Sequence, residues 1–475
     1  MNSCLIQGYI YNIIDIFKEE LSIKKERELF FKAKNLCLEE LFILESKTTS
    51  ETKNILRILR DFLEDPNINS KTLELIENGF SRGYSYIKAV DNYLENLKDS
   101  KLKKIVNNFN NVRDFMLIKM YGQKLKNLPK KDLVLVVDEL SSFLLLNIPS
   151  NVKGIITKKE PLKPFLKTLI NEKDFLVIVS KEDYKNDTFV LLDGENNKIL
   201  FEKKESAKTE KKQYHKENFQ VYLNVSSISV IDDEIKELID GIGILKTEYL
   251  FLGKGYVDKK EQISIYRDIL REMYPKRVKI RLFDFKNDKK PYFLRDDLSY
   301  EFNLCDYLYE EQLEAILEAN EGLGNAEIII PQINAVSEFR QAVAVIKIIY
   351  KNNKCKELLP KIGIMLETKE AFDNLSTFKE ESFMVINASE LSKELLGFDK
   401  NELNNYKNYN NNVIEIIKIV SAFCRKNNID YLITGDLLGN KTILNMLIQR
   451  RERAFSIPKS FLNKTLEVIN NIEIK

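Results

Sequence analysis

The chain has 475 residues, 44% apolar and 31% charged, and carries 74 Lys and Arg against 72 Asp and Glu, a net charge of +2. That length exceeds one ordinary core and points to two or three domains. The balanced charge excludes a dedicated nucleic-acid protein, which carries a basic excess or stripe. Five scattered cysteines (Cys4, Cys37, Cys305, Cys355 and Cys424) with no CxxC pair exclude a disulfide framework and a thiolate metal site. No apolar run is long enough to span a bilayer, and the first residues lack a basic-then-apolar leader pattern. The expectation is a reduced, cytoplasmic protein.

Residues 1–125 read as helix throughout, with apolar residues three and four apart and almost no Gly or Pro. "EDPNINSKT" interrupts the pattern with a proline and a cluster of capping residues. At "KDLVLVVDEL" the period changes. Short β-type runs follow at 133–137, 154–157 and 175–179, and "TFVLLDGENNKILF" reads as a hairpin. A small α/β domain over 126–205 accounts for them. Residues 206–218 form a charged linker that holds the chain's one histidine, His215, in "KTEKKQYHKEN". A histidine in such a run reads as a solvated bystander, although histidine is the side chain that changes charge near neutral pH.

From 219 to 475, apolar runs alternate with long helical stretches. The predicted strands are 219–225, 241–245, 278–284, 327–333, 362–366, 383–387, 431–435 and 454–458. Eight strand–helix units over about 250 residues match a (β/α)8 barrel, whose chemistry sits at the carboxyl ends of its strands. Those ends carry Lys246 and Glu248, Arg281 and Asp284, Glu367, Ser389 and Glu390, and Thr434 and Asp436. One charge after a strand merely starts a solvated loop. Cations and carboxylates at most of the eight ends point to a pocket for an anion and a metal.

These segments resemble the phosphoenolpyruvate–protein phosphotransferase family, enzyme I of the bacterial sugar phosphotransferase system. "DGIGILKTEYLFLGKG" is similar to the family's D/E-G-I-G-L-x-R-T-E-F-L, and "VKIRLFDFKNDKK" to V-x-I-R-T-x-D-x-G-G-D-K. "KIGIMLE" resembles G-I-M-x-E, and "FMVINASELSKELLGFDKNE" resembles F-x-S-I-G-T-N-D-L-x-Q-Y-x-x-x-x-D-R. "FLEDPNINSKTLELIENGFSRGYSYIKAVDNYLENL" with "NVRDF" resembles the helical domain that docks the histidine phosphocarrier protein. The resemblance runs nearly end to end in the family's domain order. It implies a helical docking domain, a swivelling α/β domain with a phosphoryl-carrying histidine, and a barrel for phosphoenolpyruvate and Mg²⁺ that dimerises. Such a substrate carries a phosphate and a carboxylate and needs paired cations. Mg²⁺ needs hard oxygen ligands.

Carried over position by position, the resemblance makes Lys246, Arg281, Lys289, Ser389 and Lys400 substrate-binding, and Glu367 and Glu390 the metal pair. It also exposes departures. In "GIITKKEPLKPFLKTLIN" the carrier histidine position is Phe165, which has no lone pair to accept a phosphoryl group, and the preceding Gly-Gly is Glu160–Pro161. The barrel cysteine implied as proton donor is Thr434. Lys246 and Lys400 replace arginines, losing the bidentate fork. Asp284, Asp288 and Lys289 persist, but Lys286–Asn287 replaces a Gly-Gly that lets backbone approach phosphate. Glu390 replaces an aspartate, and Ser389 an asparagine. Two readings follow. One is a binding or regulatory protein that no longer autophosphorylates. The alternative is an active phosphoenolpyruvate-dependent enzyme using Arg281, Lys289, Glu367 and Glu390.

Overall fold

A computed structural model of the chain describes all residues except 1–4, 13–20, 48–49, 98–105, 127, 139, 141, 150, 162–165, 167–169, 171–174, 195, 202–217, 228–230, 255, 286–306, 354–356, 380–381, 398–408 and 474–475. Phe165, His215, Asp288, Lys289 and Lys400 lie outside the described residues. The chain forms two compact units. The first takes in Met1–Lys208, Tyr249–Tyr256 and Phe285–Ser299; the second takes in Thr209–Glu248, Val257–Asp284 and Tyr300–Lys475.

In the first unit, helices run over Ile23–Lys47, Ser50–Glu64, Pro66–Glu77, Arg82–Leu97 and Val106–Lys126. The first buries Phe30, Ala33, Cys37, Leu41 and Leu44, three and four residues apart, along one stripe. The expected break falls at Asp65, whose carboxylate accepts from the N–H groups of Asn67 and Ile68, with Pro66 opening the next helix. Buried Glu26 pairs with Arg82 at 2.9 Å, and the guanidinium lies over the Tyr121 ring.

One correction falls in this region. Leu5–Asn12 is not helical but a strand, β1, with the sequence LIQGYIYN. Its aromatic and β-branched residues alternate too briefly to stand out from the helical stretches after it. It lies inside a six-stranded sheet with β2 (Leu133–Val137), β3 (Val152–Thr157), β4 (Leu176–Val179), β5 (Phe189–Asp193) and β6 (Lys198–Leu200), in the order β4-β3-β2-β1-β5-β6. β1 runs parallel to β2 and antiparallel to β5, and β5–β6 is the expected hairpin. Leu117 and Tyr121 of the Val106–Lys126 helix share a core with Leu133, Leu135 and Val137.

The second unit is the expected barrel. Its strands are β7 (Gln220–Val225), β8 (Gly241–Lys246), β9 (Arg277–Arg281), β10 (Ala326–Ile330), β11 (Lys361–Leu366), β12 (Phe383–Asn387), β13 (Asp430–Thr434) and β14 (Ala454–Ile457). All neighbours are parallel, and β14 pairs with β7 to close the ring. Tyr222, Ile244, Ile329, Met365, Phe383, Val385, Leu432 and Ala454 pack together in the barrel. In its amino-terminal half, Lys279 meets Glu327 at 2.6 Å, and its ammonium lies near the rings of Tyr222 and Phe383. The barrel is therefore filled, and chemistry is confined to its rim.

Candidate functional site

The carboxyl ends of the strands bring several of the expected residues together. Arg281 ends β9 and is only 3% exposed. Its guanidinium forms an ion pair with the fully buried Glu248, meets Asp284 Oδ2 at 3.3 Å and approaches Met365 Sδ at 3.7 Å. Gln312 holds this corner in place. Its side-chain oxygen accepts from the Phe283 N–H at 3.0 Å, and its amide donates to Thr247 Oγ1 at 2.8 Å. The Thr247 hydroxyl donates in turn to the Arg281 carbonyl at 2.7 Å.

Across the rim, Gln332 links Asp284 to Glu367. Its side-chain amide donates to Asp284 Oδ1, and its backbone N–H donates to Glu367 Oε1 at 3.0 Å. Gln332 is buried in a left-handed conformation with φ 59°. The other Glu367 oxygen accepts from the Asn387 side-chain amide at 3.2 Å, and Asn387 Oδ1 caps the helix Ala388–Leu396 by accepting from Glu390 N–H at 3.4 Å. Arg281, Asp284, Gln332, Glu367 and Asn387 thus form one continuous polar chain.

The remaining expected residues sit beside this chain. Lys246 ends β8 in register with Arg281 and is partly exposed. Ser389 accepts from the Leu437 N–H at 3.3 Å, which joins it to the turn after β13. Gly435 in that turn has φ 132°, and a Cβ there would lie 2.5 Å from Ser389 Oγ, so only glycine fits. Thr434, at the position implied for the proton donor, accepts from Asn224 Nδ2 at 2.9 Å. The Ser456 hydroxyl donates to Asn224 Oδ1 at 2.5 Å. Gly243 faces this cluster, where a Cβ would come within 2.1 Å of Ser456 Oγ.

On the resemblance, a magnesium ion would be held by Glu367 and Glu390, since Mg²⁺ usually takes only one or two protein carboxylates. Amide N–H groups donate to both oxygens of Glu367, one to each, which leaves each oxygen a second lone pair for an ion. Glu390 is half-exposed, with Oε2 4.0 Å from the Lys393 ammonium. Among the described residues, no three His, Cys, Asp or Glu side chains gather into a cation-holding group. Mg²⁺ demands close, near-octahedral oxygen ligation.

Sequence reasoning missed Asn224, Gln312, Gln332 and Asn387. Each is an amide in or beside an apolar segment, and the amide inside such a run was the only available signal.

Comparison with known proteins places the barrel. A family model described as "PEP-utilising enzyme, PEP-binding domain" matches residues 201–474. The chain is similar to the phosphoenolpyruvate-protein phosphotransferase of Buchnera aphidicola subsp. Baizongia pistaciae, with 24% identity over 511 residues covering 94% of this chain and 87% of that protein. The protein of that name from Buchnera aphidicola subsp. Schizaphis graminum is 26% identical over 329 residues, 60% of this chain and 57% of its own. Among solved structures, the chain is similar to the "N-terminal domain of Enzyme 1 - Nitrogen", with a TM-score of 0.23 and 13% identity over 41% of this chain and 89% of that one. Among the described residues, no helix is long and apolar enough to cross a membrane.

Proposed function

The chain belongs to the PEP-utilising enzymes through its PEP-binding domain, and on that premise we propose that it is a phosphotransferase relative that works by binding and no longer transfers phosphate. The observation that carries this reading is the loss of two groups from the positions the resemblance gives them, the carrier histidine to Phe165 and the proton-donating cysteine to Thr434. Arg281, Glu248 and Asp284 stand in the family's own motifs, and here Arg281 is buried and ion-paired with both carboxylates.

Each loss removes chemistry that transfer needs. Thr434 stands where a proton donor is implied, and a threonine hydroxyl held by Asn224 is a far weaker acid than a thiol. Phe165 stands where the carrier histidine is implied, and carbon alone cannot accept the group. A nucleophile and an acid that act as a unit are both absent from their places, and such units fail together.

In this reading, Lys246, Arg281, Lys289, Ser389 and Lys400 hold at most a weakly bound phosphoenolpyruvate-like anion, and the helical region within 1–125 docks a histidine phosphocarrier protein or similar partner in the cytoplasm. Homodimerisation through the barrel belongs to the same proposal. The test is incubation with labelled phosphoenolpyruvate, Mg²⁺ and a phosphocarrier protein.

A further inference from the structure

We propose that the bound anion is held by a phosphate group on the β13–β14–β7–β8 side of the barrel mouth, by the hydroxyls of Ser226 and Thr434 and the Lys246 ammonium. It rests on the binding reading above and adds the chemistry of the bound group. Hydrogen bonds divide the mouth in two. On the β9–β12 side, Arg281, Asp284, Gln332, Glu367 and Asn387 bond to one another. On the other side two hydroxyl donors are left over. Ser226 is 5% exposed, and its hydroxyl has no hydrogen-bond partner. Asn224 settles the second. The Ser456 hydroxyl donates to the Asn224 side-chain oxygen, which leaves the Asn224 amide to donate to Thr434 Oγ1 at 2.9 Å. Thr434 thus spends a lone pair on Asn224, and among the described residues its own proton goes to no side-chain acceptor.

The strands bring these groups to one face. Alternate residues of a strand face the same way. Tyr222 packs inside the barrel and Asn224 reaches Thr434, which puts Ser226 on that inner face at the carboxyl end of β7. Ile244 also packs inside, so Lys246 shares the face at the end of β8. Val225 pairs with Leu245, so Ser226 and Lys246 stand level on neighbouring strands. Lys246 is partly exposed and marks where the mouth opens. A buried hydroxyl that bonds nothing costs stability, and a ligand oxygen removes that cost. Hydroxyls turn to suit their acceptor, and lysine is a point charge, not a planar fork. Such a set suits the tetrahedral oxygens of a phosphate better than the flat pair of a carboxylate.

The experiment is calorimetry of the full chain with inorganic phosphate, phosphoenolpyruvate and pyruvate, with thermal unfolding followed in parallel. Wild type should bind phosphate and phosphoenolpyruvate saturably, and pyruvate more weakly than either. Ser226→Ala and Thr434→Val should each weaken phosphate binding about tenfold, the effect of losing one hydrogen bond to a charged group. Thr434→Ser should keep wild-type affinity. Without phosphate, Ser226→Ala should unfold at the wild-type temperature or higher, because the hydroxyl it removes bonds nothing in the protein. Each probe is read by binding alone, so phosphoryl transfer to the chain would refute the binding-only reading without altering these outcomes. No saturable phosphate binding by wild type, or wild-type affinity in Ser226→Ala and Thr434→Val, would overturn the proposal. A fall in the phosphate-free unfolding temperature of Ser226→Ala would make that hydroxyl a structural group and overturn it too, as would pyruvate binding more tightly than phosphate.

Discussion

Arg281 and Glu248 form an ion pair at the barrel rim in which the guanidinium is 3% exposed and the carboxylate fully buried. A guanidinium committed in this way has little left to offer a ligand. Breaking a buried pair by removing one partner is costly because the other charge is left uncompensated. Arg281→Leu should therefore destabilise the chain by about 3–5 kcal/mol, and Arg281→Leu with Glu248→Leu should recover much of that. Urea unfolding of the single and double variants is the measurement. Equal losses in both would show that the pair is not what holds this corner.

The same pair sets anion affinity. Glu248→Gln removes the competing charge, so phosphoenolpyruvate should bind roughly tenfold more tightly than to wild type, about one charge-assisted hydrogen bond regained. Calorimetry at low salt checks this. Unchanged affinity in Glu248→Gln would place any anion site away from Arg281.

Thr434 accepts from Asn224, which also donates to the Ser456 carbonyl at 3.3 Å. Thr434→Val keeps the volume but leaves that buried donor with one partner fewer, and should cost about 1–3 kcal/mol in urea unfolding. Thr434→Cys should not restore phosphoryl transfer, because the carrier position remains Phe165.

Much of the architecture was legible in the sequence. Each of the eight predicted barrel strands overlaps an observed one, because parallel strands buried on both faces appear as short apolar runs between helices. β1 was missed because an eight-residue segment beside long helices carries little periodic signal. The candidate site was half legible. Charges at the strand ends could be read off, and Arg281, Asp284 and Glu367 do come together. Their engagement could not be read, because it depends on where Gln332, Asn387 and Gln312 arrive once the barrel closes. An amide has no fixed partner until the fold supplies one.

The helical region tests the binding half of the proposal. On the Ile23–Lys47 helix, Phe42 is 64% exposed and Ile43 49% exposed, apolar groups available to a partner. Phe42→Asp in the full chain should weaken capture of a purified phosphocarrier protein roughly tenfold if Phe42 anchors the interface. Stability should change by no more than about 0.5 kcal/mol, as for other surface substitutions. Unaltered capture would move the docking surface off this face.

The most direct test of the central claim is phosphoryl transfer itself. Purified full chain is incubated with labelled phosphoenolpyruvate, Mg²⁺ and a histidine phosphocarrier protein, and protein-bound label is counted before and after acid treatment. The expected result is no acid-labile label on the chain and no label passed to the carrier. Stoichiometric acid-labile label on the chain would contradict the proposed loss of transfer, and its disappearance in His215→Ala would identify the linker histidine as the acceptor.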